Sequence, residues 1–133
     1  MLLEFDDDVN QDELPQDMDM QAMKDLEMFR LIGCDVERLP SCLTQFRKLA
    51  YLHIEWCKQL KEVPAELPCL RELRIWRCDK LEELELGMGF PKLQDLCLDK
   101  LGSLECVQLR LGQVEVEGWE RGRHRYPCST LSR

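Results

Sequence analysis

The chain lacks several features that whole functional classes require. It has no surplus of positive charge: 18 Lys plus Arg stand against 26 Asp plus Glu, a formal net charge of -8. That excludes binding nucleic acid or an anionic membrane mainly through bulk positive potential, because both require a basic footprint. No stretch approaches the ~18 consecutive apolar residues of a membrane-spanning helix. Met1-Leu2-Leu3-Glu4-Phe5-Asp6 also lacks the basic start and apolar run of a secretory signal. The chain therefore reads as non-secreted and cytoplasmic. No G-x-x-x-x-G-K-[ST] phosphate loop occurs, and none of the seven glycines precedes a lysine, so no nucleotide cofactor is expected. The eight cysteines contain no C-x-x-C pair, and the two histidines do not supply zinc spacing, so no metal is expected either. A length of 133 residues suits one domain and leaves no room for a multidomain enzyme.

What is present is unevenly distributed. Residues 1–27 carry ten acids against one base, Lys24, whereas residues 28–133 hold 16 acids and 17 bases and are nearly neutral. The acidity thus belongs to one leading segment. From Asp6 to Met20 the large apolar side chains, Val9, Leu14, Met18 and Met20, follow no steady period, so this stretch reads as a solvated loop.

An internal repeat sets the expected architecture. Four segments align without gaps: Leu26-Glu-Met-Phe29-Arg-Leu31-Ile-Gly-Cys34, Leu49-Ala-Tyr-Leu52-His-Ile54-Glu-Trp-Cys57, Leu70-Arg-Glu-Leu73-Arg-Ile75-Trp-Arg-Cys78 and Leu93-Gln-Asp-Leu96-Cys-Leu98-Asp-Lys-Leu101. Their starts lie 23, 21 and 23 residues apart, within the ~20–29 residues of a leucine-rich repeat. Downstream, Leu60 and Val63 correspond to Leu81 and Leu84, then to Leu104 and Val107; Val36 and Leu39 fill these slots in the first, slightly shorter unit. The central L-x-L has strand periodicity, which sends Leu52 and Ile54 inward and His53 outward. A short strand with one apolar face is not stable alone, but parallel stacking of copies buries a continuous leucine column. Prolines at 40, 64, 68 and 91 interrupt the segments between strands and favour irregular or 3₁₀ structure there. The expected fold is an α/β leucine-rich-repeat solenoid, with a short-stranded parallel sheet on its concave side and irregular or 3₁₀ convex segments.

The ends are less regular. Residues 1–25 read as a partial first repeat, with Leu3-Glu-Phe5 as its strand, the acidic loop, and Gln21–Asp25 as a short helix. Residues 26–118 read as about four repeats plus a short terminal one at Leu111–Trp119, and residues 119–133, without apolar period, as disordered. Neither end offers a polar cap, the expectation for a piece of a longer array.

Each candidate chemistry has a plainer competitor. Cys34, Cys57 and Cys78 recur at the ninth position of a unit, where buried reduced thiols stack as a ladder. His53 and Cys57 are four residues apart, but the repeat sends them to opposite sides, against a nucleophilic pair. Glu82, Glu83 and Glu85 read as a solvated charge run rather than paired catalytic carboxylates. No enzymatic activity and no small-molecule substrate are therefore expected. Arg121, Arg123 and Arg125 are too few for a nucleic-acid site. The better-supported candidate is a protein-binding concave face. Alternation places Arg30, His53, Arg74, Cys97 and Glu115 in its central row, with Tyr51, Glu55, Trp56, Trp76 and Arg77 beside them. Trp, Tyr and Arg are the types enriched in interface hot spots.

The residues Leu3-Glu-Phe5 with its acidic loop, Arg38-Leu39-Pro40-Ser41-Cys42-Leu43, the Cys57–Pro64 run, Leu67-Pro68-Cys69-Leu70-Arg71-Glu72-Leu73 and Gly89-Phe90-Pro91-Lys92-Leu93 carry a resemblance. Residues 1 to roughly 108 resemble the leucine-rich-repeat region of plant intracellular nucleotide-binding leucine-rich-repeat (NB-LRR) disease resistance proteins, most closely the coiled-coil class. The resemblance implies a recognition module that senses a pathogen effector or a guarded host protein and regulates a nucleotide-binding domain absent from these residues. The alternatives are a leucine-rich-repeat adaptor, such as a ubiquitin-ligase substrate-recognition module, or a truncated, functionless fragment.

Overall fold

A computed structural model describes residues 2–5, 21, 23–64, 66–86, 90–99, 101, 106–109, 112–115 and 123–126. The acidic loop lies outside these. The strands are β1 (Leu2–Phe5), β2 (Met28–Ile32), β3 (Tyr51–Glu55), β4 (Glu72–Trp76), β5 (Glu83–Leu86), β6 (Asp95–Asp99), β7 (Cys106–Leu109), β8 (Gly112–Glu115) and β9 (Arg123–Tyr126). One sheet runs β1-β2-β3-β4-β6-β9, and its first five strands are parallel. This is the expected solenoid, with a single short 3₁₀ helix, Ser41–Gln45, among the described residues.

The register shows why the repeat stacks. Phe29, Leu52, Leu73 and Leu96 are successive cross-strand partners, as are Leu31, Ile54, Ile75 and Leu98, and all eight are buried. The leucines that open the units, Leu26, Leu49, Leu70 and Leu93, complete the same core. Each donates its N–H to the carbonyl three residues earlier, on Met23, Phe46, Leu67 and Phe90. That tight turn redirects the chain into the sheet, and it repeats because the same apolar pair flanks it in every unit. Leu3-Glu-Phe5 is the strand of an earlier unit, with Leu3 opposite Phe29 and Phe5 opposite Leu31. The Phe5 and Phe29 rings meet at 5.8 Å.

Away from this sheet, a second ladder follows the downstream repeat positions. An isolated parallel bridge joins Arg38 to Glu62, and β5 pairs in parallel with β7, Leu84 opposite Val107. These are the positions the sequence alignment equated.

Three expectations for the ends differ from the structure. Gln21 and Met23–Asp25 form turns rather than a helix, because so few residues do not recover the cost of helix nucleation. Gly112–Glu115 does not begin another parallel unit but folds back on β7 as an antiparallel pair. Two intervening residues suit a hairpin, whereas a parallel return needs a crossover of a dozen or more. Glu115 therefore lies in the second sheet and not in the concave row. Arg123–Tyr126, read as part of a disordered tail, pairs antiparallel with β6, placing Arg123 opposite Asp99 and Tyr126 opposite Leu96. An open sheet edge is a template for any strand-competent segment, and Arg-His-Arg-Tyr supplies one.

Candidate functional site

The exposed face of the main sheet gathers the predicted row. Register aligns Arg30, His53, Arg74 and Cys97 across β2, β3, β4 and β6, with Tyr51 beside Glu72 and Glu55 beside Trp76. The row is less basic in effect than its composition. Arg30 lies 3.8 Å from a Glu4 carboxylate oxygen and 3.5 Å from one of Glu55. Arg74 is 3.8 Å from Glu72, and His53 Nε2 is 2.7 Å from the other Glu72 oxygen. Carboxylates on the neighbouring strands β1 and β3 thus offset Arg30, while Glu72 serves both Arg74 on its own strand and His53 on the adjacent one. The Arg30 and Arg74 pairs are accessible enough to contribute at most about 1 kcal/mol each, so they order the face more than they stabilise the fold. His53 is on the expected face but only 9% exposed. Among the residues whose burial is described, Tyr51 at 38% and Trp56 at 39% are the large aromatics that protrude, with Arg74 exposed and Trp76 and Arg77 half-buried.

Trp56, Trp76 and Arg77 converge at the carboxyl ends of the strands. The two indoles meet edge to face at 5.2 Å, and the Arg77 guanidinium lies 4.5 Å from the Trp56 ring centroid and 5.5 Å from that of Trp76. This cluster depends on an unusual backbone. Trp56 and Arg77 have φ of 60° and 54°, and Gly33, at the same repeat position, has 67°. Left-handed backbone costs a residue with a Cβ about 1–2 kcal/mol. Two bonds help hold it: the Gly33 N–H donates to the Glu55 carbonyl, and the Trp56 N–H to the Trp76 carbonyl. The twist turns the next residue, Cys34, Cys57 or Cys78, into the core.

Those three cysteines are buried, as the repeat position predicted. Their thiols approach the carbonyls two residues earlier, at 3.6–3.8 Å. Hydrogen bonding with Cys78 and burial push the Cys57 thiol well above its ordinary value, so it stays protonated. His53 is paired with Glu72, and Cys57 approaches the Glu55 carbonyl; the structure does not join them. Glu82, in the acidic run, is exposed.

An open groove of about 590 Å³ adjoins the aromatic cluster, lined by Ile32, Gly33, Cys34, Asp35, Trp56, Lys58 and Gln59. The sequence reading missed it. The signal was nonetheless in the alignment: glycine occupies the slot that Trp56 and Arg77 fill in the next two units.

With this geometry in view, comparison with known proteins finds partial relatives. The chain is 32% identical over 90 residues to the disease resistance-like protein DSC1 of Arabidopsis thaliana, covering 65% of this chain and 7% of that protein. It is 24% identical over 115 residues to the disease resistance protein RPS4 from the same plant, covering 71% and 9%. A shorter stretch of 47 residues is 38% identical to the disease resistance-like protein CSA1, covering 35% and 4%. The relatives are plant disease resistance proteins. The chain spans less than a tenth of the length of each. No protein-family model matches the chain. No solved structure matches it either.

Proposed function

We propose that this chain is a protein-protein recognition module of the plant innate-immunity receptor type. It senses an effector or a guarded host protein, or regulates a nucleotide-binding domain outside these residues, with no chemistry of its own. The leucine-rich-repeat and NB-LRR assignments, the coiled-coil class and a cytoplasmic location are part of this reading. Its partners are proteins rather than nucleic acid, membrane or small-molecule substrate.

The observation that supports it best is the Trp56–Trp76–Arg77 cluster at the carboxyl ends of the strands, with exposed Tyr51 at the other end of β3. Aromatic and guanidinium groups sit exposed or half-exposed on a rigid sheet, held partly by left-handed backbone at Trp56 and Arg77. Strained backbone that the surroundings maintain concentrates at functional sites, and Trp, Tyr and Arg dominate interface hot spots. The similarity to plant disease resistance proteins sets the biological context.

The test compares proteins retained from plant extract by the wild-type chain, by Trp76→Ala with Tyr51→Ala, and by the opposite-face variant Glu82→Ala. Proteins kept by wild type and Glu82→Ala but lost from the double variant support the reading. Retention indifferent to the double variant, with all three proteins folded by circular dichroism, overturns it.

A further inference from the structure

The repeat contains its own example of what stacks on Trp56. From the following unit, the Arg77 guanidinium lies over the indole at 4.5 Å. From the preceding unit the equivalent position is Gly33, which has no side chain to offer, and the groove opens there against Trp56 and Asp35. Three consecutive units thus present Gly33, Trp56 and Arg77 in one slot, with the same left-handed backbone. Trp56 thus carries the guanidinium of the following unit and also lines the groove that opens at Gly33 of the preceding one.

Resting on the recognition reading above, we propose that the Gly33 groove is the docking site for an arginine side chain of a protein partner. The guanidinium stacks on Trp56 as Arg77 does, and it donates to the Asp35 carboxylate on the rim. Arginine fits better than lysine because a planar, weakly hydrated guanidinium both stacks on an aromatic ring and bonds a carboxylate through two parallel N–H groups. Lys58, also lining the groove, makes its net charge near zero. Bulk potential therefore does not select the ligand; stacking and the directed bond do. Lys58 is exposed, and its flexible stem lets its ammonium turn away from an incoming cation. One exposed stacking contact is weak, so the groove confers specificity for one side chain within a larger interface.

The experiment titrates the full chain with a short acetylated, amidated Gly-Arg-Gly peptide and with its citrulline counterpart, which has the same shape without the charge. Amide resonances of Gly33 and Asp35 and the Trp56 indole N–H are followed by NMR. Saturable shifts with the arginine peptide, and none with citrulline, are expected. Asp35→Asn weakens binding by up to about fivefold, the scale of one exposed ion pair, while Lys58→Glu tightens it. Gly33→Arg fills the groove and abolishes the shifts. Because Trp56 and Arg77 already adopt that backbone, this variant keeps the fold, and circular dichroism checks it. Equal shifts from both peptides, unchanged binding to folded Gly33→Arg, or no shift at Trp56 would each overturn the proposal. The concave-face reading is scored separately, by the Trp76 and Tyr51 variants on the extract partners, so the two fail independently.

Discussion

Replacing Leu73 with alanine tests the stacking argument most directly. Leu73 is fully buried on β4, with Leu52 opposite on β3 and Leu96 on β6, both also fully buried. Truncation removes its hydrophobic transfer energy and leaves a cavity that two flanking strands keep open, for a loss of about 2–5 kcal/mol. A solenoid derives its stability from neighbour interfaces, and Leu73 belongs to two of them. Against a total of roughly 5–15 kcal/mol for a domain, the variant should melt about 10 °C or more below wild type. The control is Leu2→Ala, an equally large truncation at a leucine 53% exposed on the first strand, expected to stay within about 0.5 kcal/mol. Urea denaturation followed by circular dichroism measures both. If Leu73→Ala proves no more destabilising than Leu2→Ala, the inward assignment of the repeat's fourth position is wrong. Leu73→Asp extends the series: an unpaired charge in that column leaves no folded population.

Other predictions follow from the same geometry. Gly33→Ala should lower stability by about 1 kcal/mol, since a Cβ at φ 67° is disfavoured; a thermal midpoint equal to wild type would contradict the left-handed turn. Arg30→Ala should cost less than about 1 kcal/mol, because its partners Glu4 and Glu55 are accessible, and high salt should shrink the difference further. For Cys57, the folded state raises the thiol's pKa, so above the ordinary cysteine value of about 8.5–9 the unfolded chain releases its proton first. Stability from this group is therefore complete below that pH and declines as pH rises beyond it. Urea midpoints between pH 7 and 10.5 should fall more gently in Cys57→Ala than in wild type, and parallel slopes would refute the assignment.

The stacking of this protein was legible because its cause is local and repeated. One apolar pattern, copied at nearly constant spacing, admits one burial solution, so the order and register of β2, β3, β4 and β6, the cysteine ladder, and the outward row from Arg30 to Cys97 all follow from the alignment. Which face Tyr51 and Trp76 occupy follows in the same way. Three features were decided only by tertiary structure. Carboxylates on the same and adjacent strands pair with the row, Glu4 and Glu55 with Arg30 and Glu72 with both His53 and Arg74, which depends on distances in the folded sheet and not on composition. The fates of Gly112–Glu115 and Arg123–Tyr126 depend on which edges are left open once the parallel strands have stacked, because a strand without a periodic partner pairs with whatever backbone remains unpaired. The Gly33 groove, finally, exists because neighbouring units place large side chains where this one has none, a vacancy that a single glycine in a string of letters does not show until its neighbours are set beside it.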